Sequence, residues 1–105
     1  MKPYRLHPEV VRDVDDAAGW YEREEPGLGV EFVLAVEAAI DTIARGPRAW
    51  RHWPGAPTEL AVRRFTMERF PFLIGYVDEP DEIVVLVVDH GKRRPLHWLK
   101  RARSR

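Results

Sequence analysis

Six consecutive apolar residues, Ile83-Val84-Val85-Leu86-Val87-Val88, constrain most tightly what this chain can fold into. Their β-branching and number suit a strand, and a strand without a polar side on its pleat has to be covered on both faces, or nearly so. The run is far short of the roughly 20 apolar residues that a membrane span needs. The demand therefore falls on the interior of a globular domain. A chain of 105 residues, 45% of them hydrophobic, can supply one modest core and reads as a single domain over 1–105. It has no cysteine, which removes disulfides and thiolate metal sites. His7, His52, His90 and His97 do not pair at a metal-ligand spacing, so neither a metal nor another cofactor is expected. The opening Met1-Lys2-Pro3-Tyr4-Arg5 leads into mixed polar sequence with no apolar signal segment, and a cytoplasmic protein is expected.

Upstream of the apolar run the period is helical. Val10, Val14, Ala17 and Tyr21 form one stripe over about Glu9–Glu25, with Pro8 in the first turn and Glu9, Asp13, Asp15 and Asp16 where the helix dipole favours acids. Pro26-Gly27-Leu28-Gly29 breaks this helix. Phe32, Val36, Ala39, Ile40 and Ile43 carry a second one to about Arg45, and Gly46-Pro47 stops it. So short a break predicts an antiparallel helix hairpin. Residues 47–60, with Pro47, Pro54, Gly55 and Pro57, read as a loop anchored by Trp50 and Trp53. Ala61–Met67, Phe72–Val77 and Ile83–Asp89 then read as three strands of an antiparallel meander. Tyr4-Arg5-Leu6 suits a short first strand, and Pro95–Lys100 a short terminal helix. The expected fold is α+β: a short N-terminal strand and a helix hairpin packed on an antiparallel β-sheet.

The formal net charge of zero hides an asymmetry. Residues 1–41 carry four basic and ten acidic side chains, and residues 42–105 carry thirteen basic and seven acidic. The last fifteen residues hold Lys92, Arg93, Arg94, Lys100, Arg101, Arg103 and Arg105 without an acid. A basic end of this kind either contacts an anionic partner or is simply a solvated tail.

Four segments in order give the chain a family likeness. They are Trp20-Tyr21-Glu22 with Pro26-Gly27-Leu28-Gly29 and Phe32; Ile43 to Pro47; Arg63-Arg64-Phe65 with Arg69-Phe70-Pro71-Phe72 and Tyr76; and Val87 to Pro95 with Trp98. The ordered set resembles the RelE/ParE superfamily of toxins from type II toxin–antitoxin systems and spans about residues 4–100. The resemblance implies the same α+β fold, a cognate antitoxin as partner and a toxin–antitoxin hetero-oligomer. It also implies one of two modes of growth inhibition. ParE-like members bind DNA gyrase and carry out no chemistry; RelE-like members cleave messenger RNA on the ribosome. A non-toxic relative that only binds an antitoxin is a third expectation.

RNA cleavage without a metal needs a base for the 2′-hydroxyl, an acid for the departing 5′-oxygen and cations for the crowded phosphate. His90, His97, Tyr76, Glu59, Arg64, Arg69, Arg93 and Arg94 are the residues with suitable chemistry. An RNase reading rests on His90, Arg93 and Arg64, with Arg64 and Arg69 expected to reach one sheet edge. For His90 the alternative is a strand-end histidine bonded to backbone; for His97 it is an exposed residue of the terminal helix. Target or nucleic-acid contact is expected of Arg64, Arg69, Lys92, Arg93, Arg94, Lys100 and Arg101. Arg63 and Arg64 must point to opposite faces of their strand, one towards the acidic helices and one towards a ligand. Tyr76 and Phe72 are expected in the core, and Trp20 and Trp98 as packing anchors. No tyrosine follows Tyr76, where RNase members of the family often place a late one, and this favours the gyrase-binding expectation.

Overall fold

The computed structural model describes residues 1–105. The chain runs β1 (Tyr4–Leu6), α1 (Pro8–Glu24), α2 (Leu28–Arg45), β2 (Val62–Thr66), β3 (Leu73–Asp78), β4 (Ile83–Asp89) and α3 (Leu99–Arg103). Short 3-10 turns at Pro47–Ala49 and Thr58–Leu60 occupy the long loop before β2. The sheet order is β1-β4-β3-β2, so the apolar run lies in an interior strand. All seven residues of β4 are buried, as its composition requires. β2, β3 and β4 form the expected antiparallel meander. The sheet as a whole is mixed, because β1 pairs with β4 in parallel, Tyr4 opposite Ile83. α1, following β1 directly, supplies the crossover that such a pair needs.

The α1–α2 hairpin covers one sheet face through Val10, Phe32, Val36, Ile40 and Ile43 against Ile74, Tyr76, Ile83 and Val85. Phe32, Phe70 and Phe72 pack ring against ring there, with centroids 4.9–5.2 Å apart. The opposite face is closed by Trp53, Trp98 and Ala102 against Val62, Val77, Val84 and Leu86. Register shifts between Gly75 and Tyr76, which oppose Val87 and Val85, so Leu86 is an extra residue in β4. This β-bulge reverses which backbone groups of β4 face outward beyond β1. Gly75 leaves room for the second layer, since a Cβ there would stand 2.8 Å from Val87 Cγ1 and 3.1 Å from the Trp53 ring.

The turn between the helices explains the spacing of its glycines. Gly27 has φ +91, and the Glu22 carboxylate accepts from the N–H groups of Gly27 (3.0 Å) and Gly29 (3.0 Å). This satisfies helix N-terminal donors that would otherwise be orphaned. At Gly29 a Cβ would lie 2.6 Å from the carbonyl oxygen of Ala18, a main-chain atom that cannot rotate away. Gly29→Ala is therefore expected to force the helices apart and lower stability by about 1–3 kcal/mol. A urea titration of the purified variant checks this, and an unchanged midpoint would remove the close approach as its explanation.

Tyr76 is fully buried, and its hydroxyl donates to the carbonyl oxygen of Pro47. Burial pushes its pKa up to about 12; Arg63 opposes the shift and Asp78 adds to it. The folded chain thus holds the phenol proton more tightly than the unfolded one, whose tyrosines titrate near 10. The resulting stabilisation is complete below about pH 10 and is lost as pH rises through about 12. Tyr76→Phe should flatten that alkaline limb in a plot of urea midpoint against pH.

Two sequence expectations are corrected here. The terminal helix is Leu99–Arg103 and does not begin at Pro95; Leu96 has φ 58, a left-handed turn that no helix can include. Trp20 is 53% exposed and is not a packing anchor, whereas Trp98 is fully buried and is one.

Candidate functional site

Asp13 is the best-connected polar group in the chain. It lies on the inward stripe of α1, with only 3% of its side chain exposed. Oδ2 accepts from the Val88 N–H at 3.0 Å and from Arg101 Nη1 at 2.6 Å, while Oδ1 accepts from Arg101 Nη2 at 3.1 Å. Arg101 Nη1 also donates to the Leu86 carbonyl at 3.0 Å. β1 covers β4 only as far as Val85, so Leu86 and Val88 face outward without a strand beside them. Asp13 and Arg101 complete the ladder in its place. A charge pair with additional hydrogen bonds is the arrangement that makes burial tolerable. Arg101, expected to meet a target, instead holds α3 to α1 and β4.

The other expected site residues do not converge. Arg64 lies over the Trp53 ring, 5.7 Å from its centroid, on the face opposite the hairpin. Arg69 pairs with Glu31 on α2 at 3.0 Å and stacks on Phe70. Arg93 stands 3.7 Å from Asp13 Oδ1 with about half its side chain exposed. Arg63 does not reach the acidic helices; its Nη1 donates to the Trp50 carbonyl at 2.6 Å. His90 is exposed beyond β4, its Nδ1 accepting from the Lys92 N–H at 3.0 Å and its ring edge-on to Phe72. His97 is not an exposed helix residue. It precedes α3, and its Nε2 lies 3.2 Å from Asp89 Oδ1 with both side chains largely buried. Glu59 is exposed in its 3-10 turn. Lys92, Arg94, Lys100 and Arg103 are exposed cations. Arg105 bonds Glu79 at 3.0 Å.

One cleft, of about 660 Å³, opens between α1 and the residues that follow β4. Trp20, Tyr21 and Phe72 give it an aromatic wall, and His90, Lys92 and Arg93 a cationic one, with Asp13 and Asp16 on the α1 side. Burial pushes the Tyr21 pKa up, which keeps its phenol neutral. Sequence reasoning missed both Asp13 and this cleft. The signal for Asp13 was available: it falls three residues after Val10 on the apolar stripe, where an acid needs a partner.

The description "ParE toxin of type II toxin-antitoxin system, parDE" belongs to the family model that matches residues 4–95. Among solved structures, the chain is similar to one described as the chromosomal ParDE TA system from P. aeruginosa. The TM-score is 0.72 at 21% identity, over 85% of this chain and 95% of that one. No curated protein matches significantly. No helix of the chain is long and apolar enough to cross a membrane.

Proposed function

The chain belongs to the ParE toxin family of type II toxin–antitoxin systems, and from that premise we propose that it inhibits growth by binding DNA gyrase in the cytoplasm and is neutralised there by a cognate antitoxin. What supports binding over RNA cleavage is the dispersal of His90, Arg64, Arg69 and Arg93. Arg64 and Arg69 are engaged on different faces, by Trp53 and by Glu31. Cleavage needs an acid, a base and cations around one phosphate, and only His90 and Arg93 share a wall. The face opposite the hairpin is filled by Trp53 and Trp98. A toxin that acts by binding requires surface complementarity alone, and the exposed cations Arg94, Lys100 and Arg103 suit an acidic target surface.

The deciding experiment uses purified, antitoxin-free protein in two arms: supercoiling by gyrase, and integrity of messenger RNA on programmed ribosomes. Inhibited supercoiling with intact RNA is the expected result. Cleaved RNA with unaffected gyrase would replace this reading with the RelE-like one and make His90→Ala with Arg93→Ala the next variant. Charge reversal at two exposed positions, Lys100→Glu with Arg103→Glu, is expected to weaken gyrase inhibition by about tenfold and its salt dependence with it. The melting temperature should hold, because neither side chain is paired. Deleting 96–105 would not serve, since it removes the buried Trp98 and Arg101.

A further inference from the structure

We infer that the α1–β4 cleft seats an anchor residue of the antitoxin: an aromatic or long aliphatic side chain between Trp20 and Phe72, with a carboxylate one or two positions away held by Lys92 and Arg93. This rests on the antitoxin reading above and names where and by what chemistry that partner is gripped. The cleft's 660 Å³ lies within the range of about 300–1,000 Å³ typical of ligand sites and far exceeds one side chain. It therefore has room for an anchor together with its backbone. Trp20 is the large aromatic residue of the chain most open to solvent, at 53%, and it meets Tyr21 edge to face at 5.1 Å. A half-exposed tryptophan fixed by a neighbouring ring is the kind of group on which binding energy concentrates.

The charges select the rest of the ligand. Asp13 is already neutralised by Arg101, so Asp16 is the one acid on the wall left uncompensated. Against it stand Lys92 and Arg93, and His90, whose Nε2 has no bond within the protein. A single carboxylate suits that balance. A polyanion does not, because Glu9, Asp15, Asp16 and Glu24 also lie on α1, within residues 1–41, where acids outnumber bases ten to four. That distribution repels a nucleic-acid backbone and leaves a protein segment of mixed apolar and acidic character as the occupant.

The test measures affinity of the full-length toxin for its cognate antitoxin, and for synthetic peptides tiling the antitoxin sequence, by calorimetry. Trp20→Ala and Lys92→Glu are compared with wild type and with Glu37→Gln, an exposed α2 residue that does not line the cleft, as control. Trp20→Ala should weaken binding at least tenfold and Lys92→Glu several-fold, each with the melting temperature of wild type. One peptide carrying an aromatic or aliphatic residue next to an acid should account for the effect, and changing that acid to lysine should restore binding to Lys92→Glu. If wild type and Trp20→Ala bind the antitoxin equally, the cleft assignment is overturned and the antitoxin reading stands. If folded wild type does not bind it at all, the reading beneath fails as well. A single-stranded oligonucleotide that binds wild type and loses affinity on Trp20→Ala, with antitoxin affinity unchanged, would give the cleft to nucleic acid and overturn the proposal.

Discussion

Asp13→Ala is expected to cost about 3–5 kcal/mol, because it leaves the Arg101 guanidinium buried without its counter-charge. The same change strips the Val88 N–H of its acceptor, adding the penalty of an unpaired buried donor. A total of this size is a large share of what a small domain has, so part of the variant population should be unfolded at 37 °C. Arg101→Met should cost a similar amount, since it leaves the more deeply buried Asp13 carboxylate with only Arg93 at 3.7 Å and strips the Leu86 carbonyl of its donor. The double variant Asp13→Ala, Arg101→Met should recover only part of the loss, because the Leu86 carbonyl and the Val88 N–H then both face outward unpaired. Urea midpoints of wild type and the three variants, read as a double-mutant cycle, decide the matter. Additive losses would mean that the pair at 2.6 Å contributes no coupling.

Trp98→Ala is the second large effect, again about 3–5 kcal/mol for a fully buried tryptophan. It would leave Trp53 without the ring it meets edge to face at 4.9 Å. Trp98→Phe, by contrast, should cost under about 1.5 kcal/mol. The reason is specific to this site: Trp98 Nε1 is buried without a hydrogen-bond partner, so phenylalanine removes a group already unsatisfied and gives back part of its desolvation cost. Thermal melts of the two variants test this. Equal losses for alanine and phenylalanine would show that the indole nitrogen finds a partner in solution.

The helices and β4 were legible because each carries a strong apolar period. Val10-Val14-Ala17-Tyr21 and Phe32-Val36-Ile40-Ile43 face inward as their spacing requires, and Ile83–Asp89 matches the strand bounds. β1 was legible as a strand but its partner was not. Three residues with exposed side chains hold no information about direction, and the parallel pairing follows only from the position of α1. The site was harder to read. Arg63, Arg64, Arg69, Arg93 and Arg101 look alike in sequence, and their roles depend on which side of a pleat or turn each leaves. Alternation separated Arg63 from Arg64 correctly, but nothing local assigns Arg101 to Asp13, 88 residues away. Trp20 was misplaced because a large aromatic suggests burial; its position one residue before Tyr21 turns it off the inward stripe.

The outer edge of β4 is finished by two pieces from opposite ends of the chain. β1 pairs with it first, and Arg101 then caps Leu86 at 3.0 Å. In synthesis β1 is made before β4, and Arg101 after it. The edge therefore stays open after β4 is made until Arg101 has followed it. For a ParE-family toxin this sets an order: the surface around β4 is finished only once Arg101 has docked on it.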